Sequence, residues 1–161
     1  MTGISKILGL PQMKLGWIVV SGPKKLAETA LKRLEIISDT FLSVSTPIQQ
    51  ALPGWFQLKD SVQAEILQRT QKNYQVLKTE IPSSALTSEG GWYGVLEIKR
   101  PMDEEKFVLE LLDRQQVLVH PGYFFDFAQE PLVVLSLLPE PSVFQKGIER
   151  ILVRAKSNSE S

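Results

Sequence analysis

The chain has 161 residues, enough for one ordinary domain or parts of two with a buried core. Hydrophobic residues make up 43% and charged residues 22%, globular values that exclude general disorder. The 18 basic and 18 acidic residues balance to a formal net charge of zero, so nothing favours nucleic acid or an acidic membrane surface as a partner.

Residues 15–20 (LGWIVV) are a continuous apolar run closed by Ser21, Gly22 and Pro23, the pattern of a strand buried on both faces. Such a strand belongs inside a parallel sheet. A helix follows, with Leu26, Ala30, Leu31 and Leu34 at helical spacing and Pro23 suited to its first turn. The segment 43–47 (SVSTP) interrupts it, and a short helical piece runs to Leu52 and ends at Pro53 and Gly54. Asp60 with Gln63 forms a capping-box pattern opening a long helix. Val62, Ile66, Tyr74, Leu77 and Ile81 mark the buried stripe of that helix, and Pro82 stops it.

After a polar loop at 83–91 the period changes. Residues 92–99 (WYGVLEIK) read as a strand, followed by Pro101 and a helix capped by Asp103 with Phe107, Val108, Leu111 and Leu112 inward. A short strand at 117–119 ends in the turn His120-Pro121-Gly122. Residues 132–138 are another apolar strand, and Ser142 with Gln145 caps a last helix with Phe144, Ile148, Ile151 and Leu152 inward. The second half therefore runs β-α-β-β-α, an α+β layer. The tail at 156–161 reads as frayed.

Several classes of chemistry are disfavoured. With no cysteine, disulfides and thiolate metal sites are excluded, and the chain suits a reducing cytoplasm. A single histidine, His120, argues against a His-based metal site or a Ser-His-Asp triad, so no metal is expected. No apolar stretch reaches the roughly 20 residues of a membrane span, and the first residues lack a signal-peptide layout.

Chemistry concentrates in residues 3–16 (GISKILGLPQMKLG). A lysine amine is a poor nucleophile while protonated, and in a partly buried, cationic setting its pKa falls and it can form a Schiff base. Lys6 is the candidate amine, and Lys14 could supply the neighbouring cation or bind an anion itself. Gly3, Ser5 and Gly9 leave backbone and hydroxyl donors accessible to a phosphate group. On spacing alone, the favoured reading is that Lys6 and Lys14 are two solvated charges beside a loop. A Walker-type phosphate loop is excluded, because its glycine-lysine-hydroxyl order is missing.

The segment GISKILGLPQMKLGWIV resembles the pyridoxal-phosphate lysine region of class I/II aminotransferases, members of the fold-type I cofactor family. Lys6 falls on their Schiff-base lysine. The resemblance continues through STPIQQAL (45–52), EGGWYGVLEIKR (89–100), DEEKFVLELLDRQQVLV (103–119), HPGYFFDF (120–127) and LVVLSLLPEPSVFQKGIERIL (132–152). It implies an α+β chain derived from an α/β fold. Residues 1–57 would be a remnant of the large cofactor domain, and residues 58–161 the small C-terminal domain with its long connecting helix.

What the resemblance implies for function is transamination between an amino acid and a 2-oxo acid by a cytoplasmic homodimer. Lys6 would be the catalytic residue; Lys6, Lys14 and Ser5 would bind pyridoxal 5′-phosphate. The chain would be the C-terminal part of such an enzyme. It would then lack the half that supplies the ring-stacking aromatic, the aspartate facing the pyridine nitrogen and the glycine-rich phosphate turn, and so be inactive alone. Three positions depart from the family pattern. Lys14 stands for an arginine that grips phosphate, Gly3 stands for a phosphate-binding serine, and Val134 stands for the arginine that binds the substrate α-carboxylate. The alternatives are a non-catalytic dimerisation or interaction module, or a lyase or decarboxylase of the same cofactor family.

Other residues stay open between two roles. His120 either lines a site or is a turn residue. Ser45 and Thr46 either reach toward a neighbouring subunit's cofactor or form a turn before Pro47. Trp92 and Tyr93 either start a core strand or stack on a ligand, and Phe124, Phe125 and Phe127 either cover a pocket mouth or pack as core.

Overall fold

A computed structural model describes residues 2–99, 103–128 and 131–157. Pro101 and the tail positions 158–161 lie outside the described residues. The chain divides into two compact units, Met1–Glu65 and Ile66–Ser161.

The first unit is built around a very short antiparallel pair. Strand β1 (Thr2–Gly3) leads into the single helical turn α1 (Ile4–Ile7), and a 3-10 turn at Pro11–Met13 brings the chain back to β2 (Gly16–Trp17). Thr2 pairs with Trp17 and Gly3 with Gly16. The approach is so close that a Cβ on Gly3 would lie 2.8 Å from the Leu15 carbonyl oxygen. Ile4 N–H donates to that same carbonyl at 3.1 Å. Ile4, Leu8 and Leu15 form the small core, with Ile48, Leu52 and Trp55 packed on it.

The expectation of a six-residue buried strand at 15–20 fails. Only Gly16 and Trp17 pair, while Ile18 and Val19 are 52% and 76% exposed. Apolarity marks residues suited to a sheet interior, but burial on both faces needs flanking strands and covering layers, and β2 has one two-residue neighbour. The amides of residues 18–20 are accordingly expected to exchange with solvent far faster than those of Val133–Leu135, as hydrogen exchange followed residue by residue will report.

Helix α2 (Lys24–Asp39) forms where its 3.6-residue period predicts but buries no residue; Leu26 and Leu31 are 67% and 54% exposed. Helix α3 (Thr46–Gln57) does not stop at Pro53 and Gly54 as expected: Pro53 sits inside it. Ile48, Leu52 and Trp55 share one face at helical spacing and all pack on the same core. That shared packing outweighs the hydrogen bond Pro53 cannot donate. Helix α4 (Lys59–Glu80) follows and ends just before Pro82, as anticipated.

In the second unit, β3 (Tyr93–Glu97), α5 (Glu104–Gln115), β4 (His120–Pro121), β5 (Leu132–Ser136) and α6 (Pro141–Ser157) give the expected β-α-β-β-α order. The sheet is antiparallel with order β3-β5-β4. Strand β5 is thus central, and its continuous apolar sequence matches burial at its first four positions. The short strand expected at 117–119 is not one; Val119 is buried without pairing, and the ladder is made by His120 and Pro121. Asp103 caps α5 as anticipated, its Oδ1 accepting from Lys106 N–H at 2.8 Å. Phe107, Val108 and Leu111 are buried, whereas Leu112, expected inside, is 42% exposed. Phe144, Ile148 and Ile151 of α6 complete a core with Leu96, Val133 and Leu135.

Two buried polar groups fix this unit. Asn73 of α4 is fully buried and donates from Nδ2 to the carbonyls of Leu137 and Pro139, at 2.9 and 2.8 Å. It holds the chain as it leaves β5. Glu104, at the start of α5, is 6% exposed and accepts from the N–H groups of Tyr123 and Leu132. A Cβ on Gly122 would lie 2.7 Å from Leu132 Cβ, so glycine is what lets the 3-10 turn Gly122–Phe125 sit against β5.

Candidate active site

The lysine-bearing loop is positioned by its apolar anchors. Ile4, Leu8 and Leu15 point inward, which leaves Ser5 half-buried and Lys6 exposed on α1, with Lys14 exposed after the 3-10 turn. Lys14 takes the left-handed conformation at φ 51°, unusual for a residue with a side chain. Ser5 and Lys14 line one open cleft of about 1000 Å³, together with Thr2, Gly16, Leu34 and Glu35. Lys6 is not among the described residues lining it. Two of the three residues singled out from sequence therefore share a cleft, while the third stands on the same helical turn as Ser5 and outside that cleft.

A hydroxyl and an ammonium group in one cleft are the donor set an anionic phosphate needs, so Ser5 and Lys14 fit that end of pyridoxal 5′-phosphate. The carboxylate of Glu35 in the same lining opposes an anion.

A second candidate surface lies in the second unit. Register pairs Val134 with Val95 and His120, and Ser136 with Tyr93, and residues directly opposite share a face of the sheet. The rings of Phe124 and Phe125 approach His120 with centroids at 6.1 and 6.3 Å, and Phe125 also lies 6.2 Å from Tyr93. Phe124 is 62% exposed and Phe125 is 44% exposed. His120 thus lies in an open aromatic cluster, and Val134, opposite it on the same face, is 2% exposed. Partial burial, with the charges of Glu105, Asp103 and Glu104, pushes the nearby Tyr123 phenol above its ordinary range. Ser45 and Thr46 are exposed at the start of α3. Sequence reasoning missed Glu104, whose clamp carries this aromatic turn; it reads there only as one more acid after a cap.

Among the described residues no group of three or more His, Asp or Glu side chains is placed to hold a metal. No helix among them is long and apolar enough to cross a membrane.

Residues 1–143 match the family model described as aminotransferase class I and II. The chain belongs to the aminotransferase class I and II family. Among its relatives are the glutamate-pyruvate aminotransferase AlaA of Haemophilus influenzae, 24% identical over 162 residues, covering 94% of this chain and 40% of the relative. An alanine aminotransferase of Mycobacterium bovis is 26% identical over 160 residues, covering 92% of this chain and 37% of that protein. Solved structures agree on the fold. Cystalysin from Treponema denticola, which contains a pyridoxal 5′-phosphate cofactor, matches with TM-score 0.80 at 18% identity, over 98% of this chain and 41% of its own. Aspartate aminotransferase from Thermotoga maritima matches with TM-score 0.74 at 19% identity, over 98% and 39%. The α+β expectation therefore holds, and so does the family resemblance. This aminotransferase-family chain spans about 40% of the length of the relatives it matches.

Proposed function

We propose that these residues are the lysine-bearing and small-domain part of a pyridoxal-phosphate-dependent aminotransferase that moves an amino group between an amino acid and a 2-oxo acid. Residues 1–57 belong to its cofactor domain and residues 58–161 to its small domain. The observation that carries this reading is the family match over residues 1–143, which includes the lysine loop, joined to the cleft that Ser5 and Lys14 share.

Pyridoxal 5′-phosphate, when bound, supplies an aldehyde for imine formation with an amine and a ring that draws electrons from the carbon losing its proton. The chain's own residues do the rest. Lys14 holds the phosphate by charge, and Ser5 donates its hydroxyl to it. Lysine is a point charge without the bidentate fork of arginine, so Lys14 positions the phosphate less directionally than an arginine would. Lys6 is the amine of the site: it would hold the cofactor through its aldehyde, and as a free amine it would take the proton that leaves the substrate α-carbon. Val134 offers no charge to a substrate carboxylate, so that group is held elsewhere in the enzyme. Positioning of the cofactor ring and exclusion of water also need groups beyond these residues, and we assign the 161-residue chain no turnover of its own.

A second reading, an interaction module without catalysis, draws on the exposed apolar residues of the first unit. Phe41 is 73% exposed and Leu42 fully exposed.

Borohydride reduction in the presence of pyridoxal 5′-phosphate, followed by peptide mass spectrometry, separates the two. The aminotransferase reading expects the pyridoxyl label to concentrate on Lys6, with half-saturation shifted upward severalfold in Lys14→Ala as one exposed charge contact is lost. Labels spread evenly over the exposed lysines, with no effect of Lys14→Ala, would favour the interaction module. Amino transfer to 2-oxoglutarate is expected to be equal for wild type, Lys6→Ala and free cofactor. Turnover above free cofactor that vanishes in Lys6→Ala would instead make this chain an enzyme by itself.

A further inference from the structure

A cavity of about 380 Å³ opens into the core of the second unit, between α6, the end of β5 and the segment leading into β4. Its volume lies within the range of about 300–1,000 Å³ usual for small-molecule sites. The floor is apolar: Leu135, Phe144, Ile148 and Ile151 line it and are themselves buried. Leu118 and Val143 line it as well but stay 71% and 60% exposed, so apolar surface continues to the mouth.

The charges are all of one sign. Lys146 and Arg150 line the cavity, and among the described lining residues there is no acid. Arg150 is fixed in place by one N–H, which donates from Nη1 to the Gln115 carbonyl at 3.0 Å. A guanidinium has five N–H donors, so most of its capacity remains. Between the two cations, one helical turn apart, sits Gly147. A Cβ there would meet no heavy atom within 4 Å, and the missing side chain is part of what keeps the cavity open.

We propose that this cavity binds a small amphipathic anion, an aliphatic or aromatic carboxylate. Its apolar body lies on Leu135, Phe144 and Ile148, and its carboxylate lies against Lys146 and Arg150. An uncharged apolar molecule would leave both cations unanswered, and a small hydrophilic anion would leave the apolar floor uncovered. Only a ligand with both parts matches the lining. The proposal is independent of the lysine loop, because every residue in it belongs to the second unit.

Octanoate, octan-1-ol and acetate are the probes, titrated into the full 161-residue chain by calorimetry, with amide shifts of Gly147 recorded by NMR. Octanoate is expected to bind at submillimolar to millimolar concentration and to move the Gly147 amide. Octanol and acetate should each bind about tenfold or more weaker, the loss of one good polar or apolar contact. Gly147→Leu fills open space at a helix position where leucine is a better helix former than glycine. It should fold at least as well as wild type and lose octanoate binding. Lys146→Glu, at an exposed position, should weaken octanoate about tenfold and leave octanol unchanged. Octanoate binding that survives Gly147→Leu would overturn the site. Equal affinity for octanoate and octanol would overturn the charge recognition, and no binding of octanoate would overturn both.

Discussion

Replacing Glu104 by alanine is expected to lower the stability of the second unit by about 3–5 kcal/mol. The carboxylate accepts two backbone N–H groups, from Tyr123 and Leu132, at a site where the residue is only 6% exposed. Alanine leaves both donors without a partner away from water, at roughly 1–3 kcal/mol each, and opens a small void beside Leu132. Glu104→Gln should cost less, about 1–2 kcal/mol, because the amide oxygen can still accept one of the two while its NH₂ must turn away. Urea unfolding at neutral pH measures both. The effect should reach the aromatic turn as well: near-ultraviolet circular dichroism from Tyr123, Phe124 and Phe125 is expected to weaken in Glu104→Ala before secondary structure is lost. A cost below about 1 kcal/mol for both variants would mean that solvent reaches those N–H groups and the clamp is incidental.

The same residue shows where sequence reading stops. Asp103 is legible as a cap because its partner, the Lys106 N–H, lies three residues away, and local geometry alone decides it. Glu104 takes its partners 19 and 28 residues on, and no local pattern marks an acid for such a role. Asn73 is hidden for the same reason, since its acceptors are the carbonyls of Leu137 and Pro139. Strand β5 is legible because its apolar run meets burial on both faces, Leu132–Ser136 being buried at four of five positions. The run at 15–20 has similar apolar content, yet only Leu15 of it is buried. Composition records which environment a segment suits, while its burial depends on what surrounds it.

The lysine loop divides in a similar way. A motif could single out Ser5, Lys6 and Lys14, because the family pattern is carried by sequence order. It could not tell that Ser5 and Lys14 line one cleft while Lys6 stays outside its lining. That separation is set by the helical turn Ile4–Ile7, in which adjacent side chains diverge by about 100°, with Ile4 pinned into the core. From sequence the aromatic turn reads as either a pocket cover or core; its rings cluster with His120 and yet remain exposed, so they are a surface feature held by the clamp beneath.

Acid is expected to loosen the contact between α5 and α6 through one ion pair. Arg154 of α6 is 7% exposed, reaches the Glu110 carboxylate of α5 and lies over the Phe107 ring at 5.8 Å. The hydrogen bond from Arg154 holds the Glu110 carboxyl below its ordinary value of 4.5, against a smaller opposing effect of burial. A carboxyl whose folded pKa is depressed contributes stability that is complete above its unfolded pKa and lost as pH falls through the folded one. Wild type should therefore lose stability on acidification below about pH 4.5, and Glu110→Gln should lack that part of the decline. At neutral pH Glu110→Gln is expected to cost on the order of 1–2 kcal/mol, since the amide oxygen can still accept from Arg154 but the charge-assisted part of that contact is lost; the 21% exposure of the Glu110 side chain keeps the cost below that of a fully buried pair. Arg154→Met should cost less than Glu110→Gln, because methionine keeps the packing on Phe107 while Glu110, nearer to water, can rehydrate. Chemical denaturation from pH 7 to about pH 3 reads all three. Stability curves for Glu110→Gln and wild type that run parallel across that range would show that the pair does not set the acid response of this unit.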